Sequence, residues 1–140
     1  MFEWKPEYCV GIHSIDGQHQ NLFAAARELQ AALNGAQSKL VVGRLLDRLI
    51  RYTVIHFGHE ERLLAQSGYP DLANHKRQHT ALAEQVAAFE RAFEQGGVAA
   101  EEVLHFLMGW LGQHIQERDQ AYAPFVKARA CQSMAQDAGS

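Results

Sequence analysis

Histidines fall at the inward-facing positions of four apolar repeats, and nothing else in this chain of 140 residues restricts its fold so tightly. Turn formers at Asn34-Gly35, at Ser67-Gly68-Tyr69-Pro70-Asp71 and at Gly96-Gly97 divide the chain into four long segments. Each segment places apolar residues at steps of three and four, the pattern of an amphipathic helix. From a cap at Asp16, the first stripe reads His19, Leu22, Ala26, Leu29, Leu33. The second, over 38–66, reads Val42, Leu45, Leu49, Tyr52, His56, then Glu60 and Leu63 or Leu64. From a cap at Asp71 to about Gln95, the third reads Leu72, His75, His79, Leu82, Val86, Phe89, Phe93. The fourth, from about Ala99, reads Leu104, Leu107, Leu111, His114 and runs on to Asp119, with Tyr122, Pro124 and Phe125 beyond. Short connections between segments of similar length predict an all-α fold: an up-down-up-down antiparallel four-helix bundle. An N-terminal arm carrying Trp4, Tyr8, Val10, Ile12 and Ile15 is expected to lie over it, with a short C-terminal segment at the other end of the chain.

Composition limits what such a bundle can do. With 47% hydrophobic and 21% charged residues the chain can bury one core, expected as a single domain over 1–130 with a frayed tail over 131–140. A net charge of −3 and no stripe of Lys and Arg exclude a nucleic-acid face. No stretch has the length and apolarity to span a membrane, and the first residues do not read as a secretory leader, so a cytoplasmic protein is expected. Cys9 and Cys131 stand near opposite ends without metal-binding spacing and read as structural thiols.

The inward stripes carry five histidines and two carboxylates. Burying an unpartnered imidazole costs on the order of 1 to 3 kcal/mol, and an unpaired carboxylate costs far more. A shared cation is the simplest group that satisfies them together. His56 and Glu60, like His75 and His79, are four apart, which leaves each pair about 40° apart on one helix face. His114 and Asp119 are five apart, about 140° on a regular helix, so a π-type turn or a helix end is expected between them. Seven ligands exceed the needs of one zinc ion and point to two metals. An imidazole-rich set favours iron, copper, zinc or nickel over calcium and magnesium, and two-metal bundles point first to iron.

The strings His56-Phe57-Gly58-His59-Glu60-Glu61, His75-Lys76-Arg77-Gln78-His79 and His114-Ile115-Gln116-Glu117-Arg118-Asp119 resemble the hemerythrin family in its single-domain bacterial form. So do His19 at the end of Val10-Gly11-Ile12-His13-Ser14-Ile15-Asp16-Gly17-Gln18-His19 and the turn Gly68-Tyr69-Pro70, and the likeness spans residues 4–126. The resemblance implies two iron ions per chain in an oxo- or hydroxo-bridged centre. It assigns one iron to His75, His79 and His114 and the other to His19 and His56, with Glu60 and Asp119 as bridges. It further implies a non-enzyme that binds dioxygen reversibly for storage or delivery, end-on as a hydroperoxide on the iron with fewer histidines. On that scheme the diferrous and oxygenated cores carry the same net charge, so a dry pocket need not solvate a new one. Dioxygen is then the expected partner, and an oxygen-consuming enzyme the protein partner to look for. Two other functions compete: a sensor of oxygen, nitric oxide or redox state, and a di-iron oxidase or peroxidase, the latter disfavoured because such sites use mostly carboxylates. Helix geometry puts Leu22, Phe23, Phe57, Trp110, Leu111 and Ile115 around the dioxygen position as an apolar wall. His105 is expected on the surface, His59 on the flank of the site and Glu61 in solvent beside Arg62, and His13 is given no role.

Overall fold

The computed structural model describes residues 3–127; the expected frayed tail and Cys131 lie outside the described residues. A 3-10 turn at Pro6–Tyr8 precedes α1 (His13–Asn34), α2 (Lys39–Ser67), α3 (Leu72–Glu94) and α4 (Ala100–His114). A π turn at Ile115–Asp119 follows α4 directly, and helix resumes over 120–127. Helices α1 and α3 each pack against both α2 and α4, which closes the predicted antiparallel bundle around one interior.

Local chemistry explains the boundaries. Ser38 caps α2, its hydroxyl accepting from the Val41 amide at 3.3 Å, which satisfies one of the donors a helix start leaves open. The same helix ends where Gly68 takes a φ of 68°, a left-handed conformation that only glycine adopts cheaply, and Tyr69 N then donates to Leu64 O. Two expected caps differ. Helix α1 starts at His13, ahead of Asp16, whose carboxylate instead accepts from the Val10 and Gly11 amides at 2.8 and 3.0 Å and from the Cys9 thiol at 3.1 Å. Asp16 therefore ties down the arm rather than capping a helix. Asp71 does flank α3, but its side chain makes no capping hydrogen bond.

The inward stripe of α2 also differs from the sequence reading: Leu46 and Thr53 are buried, Leu45 is half-buried, and Tyr52 is 42% exposed beneath the Arg48 guanidinium. Buried apolar side chains from all four helices form one core, which fills the half of the bundle holding Leu29, Leu46, Val86 and Leu107 and reaches Phe23 and Phe57 in the other half. The arm lies over the other half as expected. Trp4 and Tyr8 pack against Phe23, at 5.6 and 5.2 Å between ring centroids, and the Gln120 amide holds the arm by donating to Glu7 O and Cys9 O. Among the described residues no helix is long and apolar enough to cross a membrane.

Candidate metal centre

The half of the interior beneath the arm is polar. Helix α1 brings His19 to it, α2 brings His56 and Glu60, α3 brings His75 and His79, α4 brings His114, and the π turn brings Asp119; all seven are buried. The π turn is the device expected from the spacing of His114 and Asp119, since its wider winding swings Asp119 onto the face that His114 occupies.

The seven side chains form two adjoining sets of potential ligands: Glu60, His75, His79 and His114 in one, and His19, His56, Glu60 and Asp119 in the other. Each carboxylate divides its oxygens between the sets. Glu60 Oε1 lies 2.5 Å from His75 Nε2 and 3.3 Å from His79 Nε2, while its Oε2 lies 3.2 Å from His56 Nε2. Asp119 Oδ1 lies 3.3 Å from both His75 and His114 Nε2, and its Oδ2 lies 3.3 Å from His19 Nε2.

The outer nitrogens reveal what the inner ones offer. His79 Nδ1 donates to Glu61 Oε2 at 2.9 Å, and His56 Nδ1 donates to Gln18 Oε1 at 2.6 Å. A carboxylate or amide oxygen can only accept, so the ring proton sits on Nδ1 and the neutral ring presents a bare Nε2 lone pair inward. Yet His56 Nε2 faces His19 Nε2 at 2.9 Å, and His79 Nε2 faces His114 Nε2 at 3.2 Å. Both Asp119 oxygens are buried without a hydrogen-bond partner. Two inward lone pairs, crowded with three further imidazoles around two buried carboxylates, are the donor set that a cation satisfies. The residues present therefore fit a pair of metal ions.

Electrostatics within the cluster follow from burial and pairing. Burial alone raises the Glu60 carboxyl, but the rings of His56, His75 and His79 gathered around it carry it well below the ordinary carboxylate range. Asp119 likewise opposes burial and the charge of Glu60 through His114, His19 and His75, and falls to about 2. Against the cost of burial, Asp119 and Glu60 raise His75 to about 9, whereas burial prevails at His114 and lowers it.

Four contacts escaped the sequence reading. Glu61 does not face open solvent beside Arg62: it is 25% exposed and pairs with His79. Gln18 supports His56. Tyr122, buried and kept protonated by burial and by the nearby carboxylates, donates to Glu60 Oε2 at 3.1 Å. Trp4 reaches from the arm to within 6.3 Å of the His19 ring. Tyr122 was the most accessible of these to inference, since it stands three residues after Asp119 on the same helical face.

The residues expected to form an apolar wall divide into two groups. Phe57 stacks on His79 at 3.8 Å and 5°, and Trp110 stacks on His114 at 4.4 Å and 14°, so both lie against the set with three histidines. Leu22 adjoins His56, with which it lines a cavity of about 220 Å³, and Phe23 lies beneath Trp4 and Tyr8. Leu111 and Ile115 flank His114 and are fully buried. Of the histidines set aside, His105 is exposed, 3.7 Å from Glu101, and His59 is half-buried, 3.2 Å from the Ser14 hydroxyl. His13 is exposed at the first turn of α1.

A four-helix bundle that collects five imidazoles and two carboxylates into two adjoining sets is a cation-binding protein. The chain belongs to the hemerythrin family, and its residues 10–126 match the hemerythrin HHE cation binding domain. It is similar to a bacteriohemerythrin of Stenotrophomonas maltophilia (strain R551-3), with 36% identity covering 91% of this chain and 83% of that protein. A bacteriohemerythrin of Clostridium acetobutylicum is 32% identical, covering 87% of this chain and 98% of its own. The crystal structure of a wild-type hemerythrin superposes with a TM-score of 0.80 at 31% identity, covering 89% of this chain and 96% of that one. These names agree with the expectation of a binding protein rather than an enzyme.

Proposed function

We propose that the chain binds dioxygen reversibly at a pair of irons, for storage or delivery. His75, His79 and His114 hold one iron, His19 and His56 hold the other, and Glu60 and Asp119 bridge them. The observation that supports this most strongly is the unequal sharing of histidines between two sets joined by divided carboxylates. A ligand shell with one histidine fewer has room for a small molecule, whereas two equal and complete shells make a closed structural site. The iron pair supplies the two electrons that dioxygen binding draws on and returns. The protein supplies the surroundings. Leu22 and Phe23 exclude water and protons from the smaller set, Leu111 and Ile115 do so beside His114, and Trp4 and Tyr8 add a second layer from the arm. Tyr122 fixes Glu60 by donating to the oxygen that faces the smaller set. In this reading residues 1–130 act as one domain.

The test is spectroscopic. Reduced, iron-loaded protein exposed to air gains visible charge-transfer absorption and loses it again under vacuum. Irreversible bleaching, or steady turnover of an added reductant, contradicts reversible binding and favours oxidase chemistry.

A further inference from the structure

The two ligand sets differ in what stands behind their imidazoles. His79 donates its Nδ1 proton to a carboxylate, Glu61. His56 donates its own to a neutral amide, Gln18, and His19 Nδ1 is buried with no hydrogen-bond partner. A full negative charge behind an imidazole makes its other nitrogen a stronger donor than a neutral oxygen does. Orientation is not what Glu61 adds, because Phe57 already fixes the His79 ring plane by stacking at 3.8 Å and 5°. Geometry explains how two adjacent glutamates serve two purposes: about 100° of helix rotation separates them, so Glu60 points into the interior while Glu61 reaches across to α3.

We infer that Glu61 is a positioning residue that acts through His79 to lower the reduction potential of the metal bound by His75, His79 and His114. The charge it places behind one set adds an electronic asymmetry to the asymmetry in histidine number. A ferric ion, with the higher charge, gains more from the stronger donor than a ferrous ion does. This rests on the iron pair proposed above, so iron per chain is measured first; wild-type protein without two irons refutes that reading rather than this one.

The experiment is a potentiometric titration of the iron-loaded full chain and three variants. Glu61→Gln keeps an acceptor oxygen but removes the charge. It is expected to raise the midpoint potential by about 59 mV or more, a tenfold loss of ferric over ferrous preference in a one-electron couple. Glu61→Ala should shift it in the same direction. Gln18→Glu, which puts a carboxylate behind His56, should lower it. An unchanged potential in Glu61→Gln overturns the inference, including the case in which Glu61→Ala alone shifts, since Glu61 would then only orient the ring. Should Glu61→Gln fail to load iron, Gln18→Glu decides: a lowered potential supports the charge effect and an unchanged one overturns it.

Discussion

The two halves of the bundle use equivalent inward positions for opposite ends. In one, Leu29, Leu46, Val86, Leu104 and Leu107 fill the interior; in the other, His19, His56, Glu60, His75, His79, His114 and Asp119 do, and the two groups are equally buried. Each leucine contributes about 1.5 to 3 kcal/mol by leaving water. Each unpartnered polar group costs a comparable amount, and the unsatisfied Asp119 oxygens show where that cost is concentrated. One helical repeat thus builds a half stabilised by what the chain itself brings, and a half stabilised by what the chain binds.

Substitutions test that division. The largest effect is expected in the apolar half, where Leu104→Ala should cost about 2 to 5 kcal/mol by leaving a cavity. Chemical unfolding should give the same loss with and without a chelator; a loss confined to the metal-loaded protein would show that the halves are not separable. Next, His79→Ala should bring iron below two per chain in metal analysis, with a loss of affinity beyond the 10- to 100-fold typical of removing an outer partner. Full iron content in that variant would remove His79 from the site. Leu111→Asn lies at the border of the halves and should leave iron content intact while speeding decay of the oxygenated form, followed by its visible absorption. An unchanged decay rate would show that Leu111 excludes no water. The smallest effect belongs to His105→Ala, on the exposed face of α4, which should retain two irons and stay within about 0.5 kcal/mol of the parent.

Sequence spacing revealed the inward histidines because a buried polar group interrupts an apolar stripe visibly, and it required either a π-type turn or a helix end between His114 and Asp119, of which the chain uses the π turn. The phase of α2 was less legible. Counting back from His56, both Tyr52 and Thr53 satisfy a step of three or four, as Leu45 and Leu46 both do from Leu49; packing chose Thr53 and Leu46. Tyr52 instead lies outside, its ring covered by Arg48, a place an amphipathic side chain tolerates. Asp16 looked like a helix cap because its residue type favours one, but the nearby arm amides took its oxygens. Glu61 and Gln18 were hidden for a different reason: their partners sit on other helices, and repeat spacing within one helix says nothing of them.

The most direct measurement is the iron content of the purified 140-residue chain after iron-replete expression. Two irons per chain, falling below two when Asp119→Asn or Glu60→Gln removes a bridging carboxylate, is the predicted result. A parent protein holding one iron or none, or variants that keep both, would contradict the claim that these buried side chains exist to bind a metal pair.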